Sequence, residues 1–407
     1  MLIVLLLITL LPFKENPFLN DYKGDWTFTK YVGGACAIYA VVYLACNGRF
    51  PRYLGSWQAR LYLPFTLLVY ISYMFTRTSS SMNPILMVTS LSVLGFILLS
   101  VIDSMKRLRW VLMTAVGSVA LASLYVIREW QKNKGWATGS RGAWVVGDTN
   151  HFGITAICGI TLAWYLAQER RSKWERLFCW GCLLLTFAAA IIGASRGGFL
   201  GLVAAMLFAA IRSRKRTRNI FVVLVLLVGF NVAYPYSPLQ RLLHPSRSDS
   251  ESSDNHRASW QVALEMVREH PITGIGIGEL KSQFNKYRPA WYEGPASMAH
   301  NAYLSVAAET GIPGFLLFLS VIIATYISLE RTSRKRSIPP LLTEAAVALQ
   351  AGLVGASVSI FFIPAEYHEH LWFIIVMSMC LPPLAIQLPK RRVAQRQRAE
   401  TVELSQG

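Results

Sequence analysis

The stretch Leu177 to Ile211 reads LFCWGCLLLTFAAAIIGASRGGFLGLVAAMLFAAI and carries one charge, Arg196, in 35 residues. A helix rises about 1.5 Å per residue, so the stretch would make roughly 52 Å of helix against a bilayer core of about 30 Å. It is too long for one crossing and must fold back into two, 177–195 and 197–211. The sequence offers Ser195-Arg196-Gly197-Gly198 for the reversal, where two glycines permit a tight turn.

Ten further apolar stretches fit a membrane crossing: 1–13, 31–47, 61–76, 84–102, 110–127, 151–168, 219–236, 310–329, 345–365 and 371–389. The first is short and lacks a basic leader and a small-residue cleavage site, so it reads as a span rather than a cleaved signal peptide. The composition agrees. Of 407 residues, 53% are hydrophobic and 15% charged, and mean hydropathy is +0.38, whereas soluble domains run at about 25% charged. The expected fold is an all-α polytopic membrane protein of about twelve helices. A single transmembrane domain covers 1–389 and includes the loop 237–309. A basic tail, 390–407, follows; its charges suit anionic lipid or a simple stop-transfer anchor.

The formal net charge is +18, which on a soluble chain would point to nucleic acid. Here the position of the charges explains it. The connections 48–60, 103–109, 169–176, 212–218, 330–344 and 390–407 hold 24 Lys/Arg and seven acids. The alternate set holds 16 Lys/Arg and 15 acids. The positive-inside rule puts the first set, with both termini, in the cytoplasm. The loop 237–309 is then outside, and no nucleic-acid partner is needed. The six cysteines all lie in apolar stretches. Cys179-x-x-Cys182 has no second Cys/His pair, so a disulfide framework is not expected.

The loop 237–309 is the one long polar segment. Ser246 to Asn255 is Ser/Asp-rich and reads as flexible. From His256 onward, Trp260, Ala263, Leu264 and Val267 share one helical face, and Pro271 ends it. This predicts a helix near 257–269, capped by Asp254 or Asn255. Gly274-Ile275-Gly276-Ile277-Gly278 is no dinucleotide fingerprint, since no βαβ unit surrounds it; its glycines suit a tight backbone path. His300 or Asn301 opens the helix into the next span, with Glu309 before a Gly/Pro break.

Four segments, Ser195-Arg196-Gly197-Gly198, Arg257-x-x-Trp260, Pro271-x-x-Gly274-x-Gly276-x-Gly278, and His300-Asn301-x-x-Leu304 with Glu309, Gly311 and Gly314, stand in this order on one side of the membrane. Together with Asp148-Thr149-Asn150-His151 they resemble the bacterial O-antigen ligase/polymerase superfamily over roughly 150–380. The resemblance implies an enzyme of the inner membrane with its active site on the periplasmic face. It would move glycan from an undecaprenyl-pyrophosphate carrier to an acceptor. Ligases use lipid A–core oligosaccharide, polymerases another lipid-linked glycan, and a third branch protein. The chain has no large added loop domain and looks most like a ligase. A lipid-linked glycan transporter is the competing class, but its ionisable residues would sit near span centres.

Each residue has a plain reading beside the implied one. Arg196 is either an interfacial anchor or a pyrophosphate ligand, whose planar fork suits phosphate. Arg257 is either a solvated loop charge or a second ligand. Arg128 and Arg141, in 128–150, and Arg247 and Arg288 in the long loop are further candidates for binding. His300 is a packing residue or the general base, with a pKa suited to neutral pH. Asn301 is a cap or a site residue, Glu309 orients His300 or closes a helix, and Trp260 anchors the loop helix. Glu366, His368, Glu369 and His370 are metal-ligand types, but a short polar turn reads as a hydrated cap, and no metal or other cofactor is expected.

The charge split yields a direct test. Reporter fusions at Thr217 and Ser250 are expected on opposite sides of the membrane; both on one side would refute the orientation.

Overall fold

The structure is a computed structural model that describes residues 1–13, 28–47, 55–76, 78–134, 149–168, 172–213, 216–234, 236–335 and 338–386. The helices in chain order are α1 (Leu2–Leu10), α2 (Phe28–Asn47), α3 (Trp57–Thr76), α4 (Ser79–Val101), α5 (Met105–Lys132), α6 (Thr149–Leu166), α7 (Lys173–Ile192) and α8 (Arg196–Arg212). There follow α9 (Arg216–Ala233), α10 (Pro238–Leu243), α11 (Arg247–Glu269), α12 (Leu280–Gln283), α13 (Ala302–Ser333), α14 (Pro340–Ser359) and α15 (Glu369–Ile386). The described residues contain no strand. A bilayer leaves no water for backbone polar groups, so helices that satisfy their own amides are the expected solution.

Seven helices are individually long and apolar enough to cross a membrane: α2, α4, α5, α7, α13, α14 and α15. The other expected spans are helical too. Helices α3, α6, α8 and α9 have 17 to 20 residues, and 1–13 forms the nine-residue α1 with a short 3-10 turn. The tail 390–407 lies outside the described residues.

The centre of the bundle is α8, packed against α6 and α14. Gly153 and Gly198 bring two backbones together: a Cβ on Gly153 would stand 2.8 Å from the Gly198 Cα. On the other side, a Cβ on Gly201 would collide with Ser359 Oγ and the Gly355 carbonyl. Small residues permit this approach where no hydrophobic force separates helix from lipid. Ser359 then donates to the Gly197 carbonyl at 3.2 Å. Elsewhere buried Gln58 on α3 donates to Ser378 on α15 at 3.2 Å.

These contacts correct the reading of the Arg196 turn. The reversal is made by Gly193, Ala194 and Ser195, with Ala194 at φ +50°. Gly197 and Gly198 lie inside the first turn of α8. They serve helix packing: a Cβ on Gly197 would stand 2.8 Å from Phe362 Cβ, and one on Gly198 3.0 Å from the Gly153 Cα.

The Ser/Asp run 246–255 is also helical, contrary to its composition. Helix α11 starts ten residues earlier than its apolar period suggests. Ser246, rather than Asp254 or Asn255, is its N-cap, in a capping box with Asp249. Tertiary bonds hold this polar turn: Arg241 pairs with Asp249, and Arg196 donates to Ser253 Oγ at 3.3 Å. The C-terminal end is as expected, with Glu269 last and Pro271 beyond the cap.

Under α11 lies a small separate core of Ala258, Val262, Ala263, Met266, Leu280, Phe284 and Tyr292. The segment 274–278 threads beside α13, with the Ile275 amide on the Ala308 carbonyl (2.9 Å) and the Gly276 amide on that of Glu309 (3.1 Å). Gly274, Gly276 and Gly278 all have positive φ, so the glycines do supply a backbone path closed to other residues.

Adding a methyl at Gly201 should therefore be costly. Gly201→Ala is expected to destabilise by about 1–3 kcal/mol through overpacking. Gly229→Ala on α9, where a Cβ meets nothing within 4 Å, should lose nothing. Thermal midpoints in detergent would show both.

Candidate active site

Helices α8, α10 and α11, with the end of α14, enclose a cavity of about 730 Å³. Arg196, Arg241, Arg257 and Arg268 line it, together with His256, Trp260 and Asn150. Its position follows from the local sequence. Ser195 caps α8 through the Gly198 amide and holds Asn150 Oδ1 at 2.9 Å. Arg196 thereby becomes the first residue of a helix whose amino end faces the cavity, where free N–H groups and the helix dipole favour an anion.

The four arginines are not equivalent. Arg241 is tied to Asp249 and to the Ala194 carbonyl at 2.6 Å. Arg268 pairs with Glu265 on its own helix, contacting its Oε1 at 2.5 Å. Arg196 meets hydroxyls and a carbonyl, those of Ser253, Ser252 and Asp249, at 3.3 to 3.5 Å. Arg257 lies over the Trp291 ring at 5.4 Å. Among the described residues neither Arg196 nor Arg257 has a carboxylate partner. These are the two that sequence reasoning placed first.

His300 stands behind this wall, at φ +49° just before the Asn301 cap. Its Nε2 meets Ser297 Oγ at 2.8 Å. Its ring stacks on His256, with centroids 4.5 Å apart and planes 16° from parallel. His256, not His300, lines the cavity. Burial, then the neighbouring His300 and Arg196, push the His256 pKa down to about 4. His256 is thus a neutral imidazole at neutral pH. Sequence reasoning assigned it no role, although it directly precedes Arg257. Arg241 was missed as well; its signal would have been its acidic partner eight residues on, which only the fold connects.

The other predicted residues are placed as follows. Asn301 caps α13 through the Leu304 amide at 3.1 Å. Trp260 packs edge-on against Phe361 at 5.4 Å while also lining the cavity. Glu309 is buried on α13, nine residues beyond His300 in sequence, and the amides of Gly278 and Leu280 face its carboxyl. Arg288 grips the loop itself, through the Gly294 carbonyl at 2.5 Å and Asn285 Oδ1 at 2.6 Å. Arg247 pairs with Glu251 at 3.1 Å. Arg128 is exposed near the end of α5 and does not line the cavity. Arg141 lies outside the described residues.

The turn 366–370 is a correction: it is buried, not a hydrated cap. Glu366, His368, Glu369 and His370 are each 4–5% exposed, because the turn is folded against the start of α6. The ligand atoms of His368, Glu369 and His370 lie within 4.8 Å of one another. Yet His368 Nε2 faces the His151 carbonyl at 3.1 Å, and its Nδ1 accepts from the His370 amide at 3.2 Å. With both nitrogens engaged, His368 has no lone pair to offer a metal in this arrangement, so the donor set does not fit one.

Residues 180–319 match the O-antigen ligase family. The match supports membership of the O-antigen ligase/polymerase superfamily. It begins within α7 and ends within α13. Arg196, Arg241, His256, Arg257, Trp260 and His300 all fall inside it, and Asn150 falls outside. No curated protein matches the chain. The matched segment thus contains most of the cavity lining and the histidine pair.

Acid should expose the His256 environment. Its folded pKa, about 4, lies below its ordinary 6.5, so the unfolded chain binds more protons between those values. Stability is expected to fall as pH drops from 6.5 towards 4. His256→Phe keeps a flat ring but does not titrate. The difference between its thermal midpoint and that of the native chain, followed from pH 7 to 4, should shift in favour of the variant.

Proposed function

We propose that the chain is a glycosyltransferase that moves O-antigen glycan from undecaprenyl pyrophosphate to lipid A–core oligosaccharide. The observation that carries this reading is the convergence of two carboxylate-free arginines and a helix amino end on one cavity, beside an imidazole pair. Such a site suits an anion and a proton acceptor together. We place it on the periplasmic face of the inner membrane, with both termini in the cytoplasm, and take 1–389 as one transmembrane domain followed by a cytoplasmic tail. The family match supports the coarser statement, an enzyme of O-antigen processing.

Arg196 and Arg257 hold the pyrophosphate. His300 takes the proton of the acceptor hydroxyl, and that oxygen attacks the anomeric carbon of the donor sugar. The bond from that carbon to the pyrophosphate oxygen breaks, and its electron pair leaves with the phosphate. The arginines stabilise the charge that grows there. Attack opposite the leaving group inverts the anomeric configuration. His256, neutral and stacked on His300, keeps that ring in place. No metal is required.

General base catalysis is worth about 10²–10⁴-fold, and one well-placed charge donor on the order of 10²–10³-fold. His300→Ala, Arg196→Ala and Arg257→Ala are each expected to lose transfer on that scale while still inserting. Arg→Lys should recover little, since a point ammonium cannot reproduce the fork. Binding of undecaprenyl pyrophosphate should weaken in the arginine variants and persist in His300→Ala, and transfer should survive EDTA. The assay supplies lipid-linked glycan with either lipid A–core or a second lipid-linked glycan; transfer only to the latter would make the chain a polymerase. Near-native turnover by His300→Ala, or a product of retained configuration, would overturn the mechanism.

A further inference from the structure

A second, larger cavity of about 2300 Å³ lies at the opposite end of α8, where Arg212 stands. It is bounded by the start of α5, the end of α6, the starts of α7 and α14 and the end of α13. Six cations line it, Lys106, Arg109, Arg176, Arg212, Arg334 and Lys335, against two acids, Glu175 and Glu344. Some of this charge is structural. Arg109 pairs with Glu175, and Arg212 and Arg334 both pair with Glu330, the former at 2.9 Å. Lys106, Arg176 and Lys335 have no carboxylate partner among the described residues, and all three are exposed. Lys106 rests over the Trp110 ring at 4.9 Å. The bordering connections 169–176, 212–218 and 330–344 hold 13 Lys/Arg and four acids.

The lining also has an apolar wall, with Trp110, Met113, Trp180 and Ile338. Trp110 is 42% and Trp180 37% exposed, as suits indoles at the boundary of a bilayer. The volume is well above the roughly 300–1,000 Å³ of a small-molecule pocket. A free phosphate would leave the apolar wall empty, and a neutral lipid would leave the cations unmet. A phosphodiester headgroup with its attached chains satisfies both.

We propose that this cavity seats an anionic phospholipid, its phosphate among Lys106, Arg176 and Lys335 and its chains along Trp110 and Trp180. The lipid would bridge helix ends from the first half of the chain and from the last. The proposal needs only the membrane-spanning fold and is independent of the transfer reaction.

The full chain, purified in a zwitterionic detergent, is titrated with phosphatidylglycerol, phosphatidylcholine or glycerol phosphate while its thermal midpoint is followed. A saturable rise is expected with phosphatidylglycerol alone. Each basic residue near a headgroup contributes about fivefold to binding. Lys106→Gln, Arg176→Gln and Lys335→Gln together should weaken it by roughly 100-fold, and each alone in the same direction. If the triple variant melts too low to titrate, the single variants decide. Arg257→Gln, at the other cavity, should leave the titration unchanged. An equal rise with phosphatidylcholine or with glycerol phosphate would overturn the proposal. So would native-like binding by the variants, or loss of binding in Arg257→Gln.

Discussion

The close approach of α8 to α6 and α14 is the constraint on which the rest depends. It requires glycine at 153, 198 and 201, where a side chain would strike backbone or Ser359. The contact fixes the start of α8, and with it Arg196 and the Ser195–Asn150 hydrogen bond. Arg196 and Arg241 in turn hold the polar end of α11. That helix carries His256, Arg257 and Trp260 to the cavity. The site is therefore assembled from pieces distant in sequence that share one packing axis. Van der Waals contact between small residues, rather than water-driven burial, sustains such an axis in lipid.

Much of this was legible in the sequence because the bilayer leaves few options. A long apolar run must be helical, so the spans and the fold class followed from length and hydropathy. Arg196 stood out because a lone charge in an apolar run is costly. Arg257 and His300 stood out only through their motifs. What could not be read was tertiary. Ser246 to Asn255 has the composition of a loop, and no local rule shows that Arg196 and Arg241 will supply its partners. The turn 366–370 looks hydrated because its residues are polar; burial against α6 is visible only in the fold. His256 carried no signal of its own, since its significance lies in a ring that arrives from 44 residues further along the chain.

The histidine pair and the arginines divide the work by charge. The arginines remain cations at any pH of interest. His256, crowded by His300 and Arg196, stays neutral well below neutral pH. Two imidazoles stacked at 4.5 Å do not both protonate readily, since like charges at that distance repel. Fixed positive charge is thus supplied by the arginines, and the imidazole of His256 beside them is free of its own charge. The loop that makes this division is held by its own core and by the glycine segment against α13.

The length of α8 has one more consequence. Its 17 residues span about 25 Å, less than the roughly 30 Å hydrocarbon core, whereas α5 has 28 residues. A helix that short is matched by a bilayer that thins locally or by polar groups that reach inward. Arg196, its first residue, is such a polar group. On the proposed function, a pyrophosphate on a polyprenyl chain would then meet Arg196 with less of the chain drawn out of the membrane, which spares the cost of exposing isoprene units to water.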